Sequence, residues 1–169
     1  MDVYEAVRTM LAVREFESKP VPDRAVLRIV EAARLTASSM NGQPWHFVVV
    51  QDRDTLLELG SLVSSGPYNA DAAFAVVVAV DKSSPFGVSD ASRAIQSMAL
   101  TAWSEGIGSN WTGWVGMSGV ASLLGVPDSL DVIAVVPFGY PARVRAKGRK
   151  RRKGLSEVAH RERFGQQFS

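Results

Sequence analysis

Thr36-Ala37-Ser38-Ser39-Met40-Asn41-Gly42-Gln43-Pro44-Trp45, followed at once by His46-Phe47-Val48-Val49-Val50, is the stretch on which the reading of this chain turns. A run of small and amide residues closed by Pro-Trp sits between a predicted helix and a predicted strand, which is where α/β proteins place ligand sites. Ser38 and Ser39 offer hydroxyls, Asn41 and Gln43 offer donors and acceptors, and Gly42 lets a ligand approach the backbone closely. Such a loop suits a flat ring edged with heteroatoms. The same residue types also fill ordinary turns for purely conformational reasons, so composition alone does not separate a binding loop from a turn.

Outward from this loop, the chain alternates helical and strand patterns. Asp2 to Leu11 reads as a helix with Asp2 as N-cap, and Glu15 to Val21 as an extended stretch. The second helix starts near Pro22-Asp23, and Val26, Leu27, Ile29, Val30 and Ala33 form its apolar stripe. His46 to Gln51 is a strand, Asp52 to Val63 a helix, Ser64-Ser65-Gly66-Pro67 a break and Ala72 to Asp81 a second strand. Ser89 to Glu105 carries the longest helical periodicity, with Ile95, Met98, Leu100 and Trp103 as core candidates, and Gly106-Ile107-Gly108 ends it. Ser109 to Val115 is a short strand or turn, Ser118 to Gly125 a small helix and Leu130 to Phe138 the last strand. These strands are nearly continuous in apolar residues, the pattern of strands covered on both faces, which points to a layered α/β domain with a sheet of about four strands and parallel pairing.

The chain's 169 residues suffice for one domain with a substantial core. With no Cys there is no catalytic thiol and no thiolate metal site, and two histidines, His46 and His160, do not make a His-rich site. The apolar runs Ala72 to Val80 and Val132 to Phe138 fall far short of the roughly 20 residues that span a bilayer. Met1-Asp2-Val3-Tyr4-Glu5 is acidic rather than basic, so a secretory signal is not expected and a cytoplasmic location is. Residues 1–142 hold 9 basic and 15 acidic side chains, whereas Arg143, Arg145, Lys147, Arg149, Lys150, Arg151, Arg152 and Lys153 put eight cations into eleven residues without an acid. That cluster suits an anion. It is also compatible with a solvated tail or with nonspecific contact to nucleic acid phosphates, although no interleaved aromatics support base stacking, so nucleic acid is not the expected partner. No GxGxxG or phosphate-loop motif occurs.

Four elements line up: Val13-Arg14-Glu15-Phe16 with Pro20-Val21-Pro22, then Ser38 to Trp45, then Gly106 to Trp114, and finally Phe138-Gly139-Tyr140-Pro141 before the basic run. In this order and spacing, over nearly the whole chain, they resemble the nitroreductase family of flavin mononucleotide (FMN) enzymes. The resemblance implies an α+β fold around a mostly antiparallel sheet of about four to five strands flanked by helices, in place of a parallel one. It implies a homodimer with flavins at the interface, and a tail over 143–169 that embraces the partner.

The resemblance also implies a set of cofactor-binding residues. Arg14 would face the pyrimidine edge of the flavin, Asn41 would bond the ring or the substrate, and Ser38, Ser39 and Met40 would line the loop. Thr112 and Gly113 align with the segment whose backbone faces the reactive flavin nitrogen, and Lys150 with Arg152 match the family's late Lys-x-Arg phosphate pair. The early phosphate motif differs: Met10-Leu11-Ala12 stands where the family usually has Arg-Arg-Ser, and Arg8, Arg149 or Arg151 are the cations that could substitute. The implied activity is electron transfer from NADH or NADPH through FMN to a nitroaromatic or quinone-like acceptor by a ping-pong scheme, with no catalytic side chain and no metal. Short segments at Ser64 to Ala73 and Lys82 to Val88 imply an open, permissive site. A flavin-sequestering protein with little turnover, or a degenerate scaffold acting through its basic tail, are the alternatives.

Overall fold

The computed structural model describes residues 1–113, 117–143 and 150–167. Helix α1, Val3–Thr9, is capped by Asp2, whose carboxylate accepts a hydrogen bond from the Glu5 amide. It stops short of the expected Leu11, because Met10 turns into extended geometry and Val13 then bonds the Ser109 carbonyl at 3.0 Å. Helix α2, Asp23–Arg34, buries Ala25, Val26, Ile29 and Ala33, the inner part of its predicted stripe, and leaves Leu27 exposed. Strand β1 is Trp45–Val50 and helix α3 is Arg53–Leu62, with Asp52 accepting from the Thr55 amide at its start. A 3-10 turn at Pro67–Asp71 shortens the expected second strand to β2, Phe74–Asp81. Helix α4, Gly87–Ser104, begins two residues before the expected Ser89, and Gly106 with φ +80° ends it. The short strand β3, Gly108–Ser109, helix α5, Met117–Leu124, strand β4, Leu130–Gly139, and the one-turn helix α6, Leu155–Val158, complete the described chain.

The strands form one sheet in the order β1-β2-β4-β3, and each neighbouring pair is antiparallel. The parallel arrangement suggested by the apolar runs is therefore wrong, and the α+β arrangement implied by the family resemblance is right. The reason the runs mislead is that helices cover both faces of this antiparallel sheet. Along β2, Phe74, Val76, Val78 and Val80 enter one core with Ile29, Ile95 and Met98, while Ala75 and Val77 enter a second core with Leu56, Leu59 and Val120. Phe74 and Phe138 stack across β2 and β4 with ring centroids 4.8 Å apart, at the end of the sheet where the chain reaches the 3-10 turn and β3.

Among the aromatics near the sheet, Phe138 is fully buried. Trp111 packs against the first core, and Trp103 is half-buried with its indole N–H donated to Thr9 Oγ1 at 2.9 Å. Trp114 lies outside the described residues. No helix among the described residues is long and apolar enough to cross a membrane, and no group of three or more His, Cys, Asp or Glu side chains among them could hold a metal ion.

Candidate functional site

The Ser38 to Gln43 loop leaves α2 and turns sharply before β1. Met40, Asn41 and Gln43 all have left-handed backbones, with φ of 54°, 56° and 47°. Side-chain L-residues enter that region only at a cost, so three in four positions mark a loop held in shape by its surroundings. Two hydroxyls do part of the holding. Ser38 Oγ accepts from the Gln43 amide at 3.0 Å, and Ser39 Oγ donates to Asp90 at 2.9 Å. Met40, 94 % exposed, and Asn41 project outward. Ser38 and Ser39 thus shape the loop, while Met40 and Asn41 present it.

A second group surrounds Thr112 and Gly113. Thr112 is buried, pairs its backbone with Val135 of β4 in both directions and donates its hydroxyl to the Val135 carbonyl at 2.6 Å. Asn69, fully buried in the 3-10 turn, donates to Thr112 Oγ1 at 3.1 Å and to the Gly66 carbonyl at 2.8 Å. Gly113 has φ +114°, which disfavours any side chain, and its N–H donates to Ser65 Oγ at 3.2 Å. A hydroxyl rotor on an exposed loop is an exchangeable partner, so this amide can be passed to another acceptor more readily than the amide of Thr112.

Arg14 lies on the extended stretch that crosses the edge of the sheet. Val13 bonds Ser109 on one side, and Glu15, Phe16 and Glu17 meet residues 140–142 on the other. The close crossing depends on glycine: a methyl group on Gly139 would sit 2.9 Å from Phe16 Cδ1. Arg14 is exposed, and the Glu15 carboxylate pairs with Arg143 at 3.1 Å.

Lys150 and Arg152 line a cavity of about 510 Å³ together with Tyr4, Val7, Arg8, Met10 and Gln96. Lys150 donates to the Val7 carbonyl at 2.5 Å, tying the late basic segment to α1. Burial, and secondarily the charge of Arg152, hold the Lys150 ammonium below the ordinary lysine pKa. Arg8, whose guanidinium is also paired with Glu5 at 2.8 Å, brings a third cation to the same wall as Met10. Arg145, Lys147 and Arg149 of the basic run lie outside the described residues, and Arg151 is exposed. An apolar floor with three cations around it suits an anionic group carried on an organic stem.

Helix α4 relates these pieces. Gln96 and Trp103, seven residues apart, share the face that meets α1 and the cationic cavity, whereas Asp90, Arg93 and Ser97 share the face that meets the loop and the end of α2. The loop and the cavity therefore lie on different faces of one helix. Sequence reasoning did not find Tyr4, Val7, Gln96, Ser65, Asn69 or Asp90. An acid in the first turn of a helix ordinarily reads as a surface partner of the helix dipole, which hid Asp90.

A family model described as the nitroreductase family matches residues 8–84 and 67–140. Over 150 residues the chain is 34 % identical to a Methanothermobacter thermautotrophicus protein named "Putative NADH dehydrogenase/NAD(P)H nitroreductase", with 84 % of this chain and 78 % of that one covered. A crystal structure of a Bacteroides thetaiotaomicron protein of the same name superposes with a TM-score of 0.88 at 26 % identity, covering 96 % of this chain and 98 % of that one. A Clostridium difficile protein titled an FMN-dependent nitroreductase shares the fold alone, with a TM-score of 0.88, 23 % identity and coverage of 94 % and 98 %. The sheet order, the Ser38 to Trp45 loop and this match along the chain together make it a member of the nitroreductase family.

Proposed function

We propose that the protein binds FMN and passes electrons from NADH or NADPH to an electron-poor acceptor, nitroaromatic or quinone-like, by a ping-pong scheme. The observation that carries the reading is the cavity in which Lys150 and Arg152 meet Arg8, because it gathers cations where the family's phosphate pair aligns despite the apolar Met10 and Ala12. The fit is physical: the phosphate ester would lie among three cations, and its stem would lie along Tyr4, Val7 and Met10. The chemistry that bound FMN supplies is two-electron transfer from donor to acceptor at a single site, which is why no nucleophile or general acid is required of the chain.

The residues of the chain bind and orient. Lys150, Arg152 and Arg8 hold the phosphate. Arg14 would place positive charge at the pyrimidine edge of the ring, which favours the reduced flavin. Gly113, whose N–H is held by the exchangeable Ser65 Oγ, would offer that N–H to the ring, and Thr112 would fix it by its double tie to Val135. The loop of Ser38, Ser39, Met40 and Asn41 would cover the ring. Because loop and cavity occupy different faces of α4, we assign these contacts to a homodimer in which one protomer's loop covers the ring held by the other. The uncovered Leu155, Val158 and Phe164 of the tail are consistent with a segment that reaches a partner.

The test is the visible absorption spectrum of the purified protein before and after addition of FMN and desalting, followed by an NADH and NADPH oxidation assay with a nitroaromatic and a quinone. Stoichiometric flavin retention with donor oxidation supports the reading. Retention without turnover selects flavin storage, a second reading favoured by the missing early Arg and Ser. No retention refutes both.

A further inference from the structure

We infer that Asp90 is the positioning residue that sets the shape of the ring-covering loop, although it touches neither the cavity nor the loop's outward face. This inference rests on the flavin reading of the site. The loop's own bonds are short-range: Asn41 and Gly42 donate to the Ser38 and Ser39 carbonyls at 3.1 and 3.0 Å, and Gln43 donates to Ser38 Oγ. No residue of the 3-10 turn Ser39–Asn41 is buried, so packing does not hold it. Its left-handed Met40 and Asn41 would relax without an external tether.

That tether is the Asp90 carboxylate, 1 % exposed. One oxygen accepts the Ser39 amide at 3.0 Å and the other accepts the Ser39 hydroxyl at 2.9 Å, so main chain and side chain of one residue are gripped together. Arg93, one turn along α4, donates to the same carboxylate and to Ser39 Oγ at 3.3 Å. The grip is rigid because Ala91, Ala94, Ile95 and Met98 of α4 are sunk in the core beside it. At the α2 end the Thr36 hydroxyl meets the Ala32 carbonyl at 3.0 Å and Ser97 Oγ at 2.8 Å, and at the β1 end the Pro44 carbonyl accepts the Asp81 amide at 2.9 Å and Trp45 is buried, so both ends of the loop are fixed and Asp90 decides the path between them. A charged acceptor for two donors of one residue makes stronger and better directed bonds than a neutral one.

The experiment compares the full-length wild type with Asp90→Asn and Ser39→Ala by hydrogen exchange over residues 36–44 and by FMN titration. Asp90→Asn is expected to speed exchange of the Ser39 amide by about tenfold while the β2 and α4 core amides keep their protection. FMN dissociation should rise by about tenfold, with the bound flavin's visible bands moving toward those of free FMN. Ser39→Ala, which keeps the amide bond to the carboxylate, should show a smaller change in both and keeps the test decisive if Asp90→Asn does not fold. Unchanged loop exchange in either variant overturns the inference. A loosened loop with unchanged FMN affinity and bands overturns it too, since Asp90 would then be structural only. If the wild type itself binds no FMN, the flavin reading fails, while loop exchange still decides whether Asp90 sets the loop.

Discussion

Replacing Met10 with Arg is expected to tighten FMN binding by about tenfold, and the reasoning runs through the cavity that Met10 shares with Arg8, Lys150 and Arg152. Met10 is only half-buried, so losing its side chain from the cavity wall costs little packing. A guanidinium added there gains charge-assisted hydrogen bonds to a phosphate worth roughly 1.5–3 kcal/mol. Against this stands repulsion from the resident cations, about 0–1 kcal/mol for solvent-screened neighbours, much of it cancelled when the dianion arrives. The balance is about 0.5–3 kcal/mol, with its lower half alone reaching roughly tenfold in affinity. The assay is quenching of flavin fluorescence, titrated with FMN and in parallel with riboflavin, which lacks the phosphate. FMN should gain and riboflavin should not. If Met10→Arg binds FMN no tighter than the wild type while folding normally, or tightens both flavins equally, the cavity is not the phosphate site.

Three further outcomes are expected. FMN affinity should fall as pH rises through the depressed pKa of Lys150, because the neutral amine no longer attracts phosphate; binding the dianion favours the charged amine and takes up protons, so Lys150→Arg should flatten this alkaline dependence in the same titration. Asn69→Ala removes two donated hydrogen bonds from a fully buried turn and should cost about 2–4 kcal/mol in denaturant unfolding, with flavin affinity also falling because Thr112 loses its support. Deleting residues after Gly154 removes the exposed Leu155, Val158 and Phe164 and should shift the protein toward monomer in light scattering; an unchanged dimer would refute a partner-embracing tail.

The strands were legible because Val-rich runs at 46–50, 72–81 and 130–138 admit few other structures. Their antiparallel pairing was not legible, because two helical layers erase the in-out alternation that exposes such a sheet; only the four dispersed motifs pointed to it. Within the candidate site, Lys150 and Arg152 could be named from the late Lys-x-Arg pair, and Arg8 by asking what replaces the charge missing at Met10. Tyr4 and Gln96 could not, since an exposed tyrosine and a mid-helix glutamine acquire meaning only when α1 and α4 are side by side. Ser38 and Ser39 were legible as loop residues, but the bonds their hydroxyls make to the Gln43 amide and to Asp90 were not, because these depend on the left-handed geometry of the residues that follow.

The loop's construction also bears on how this chain can change. Its shape rests on Ser38, Ser39 and Asp90, while the side chain of Met40 stands almost wholly in solvent and supports nothing beneath it. Keeping the loop's shape and facing outward therefore fall on different atoms. Position 40 can drift among residues that tolerate a left-handed backbone, Asn and Gly most freely and β-branched residues least, with little loss of stability. If the loop covers a flavin as proposed, position 40 is a dial for acceptor preference that selection, or a saturation library, can turn without first stabilising the scaffold.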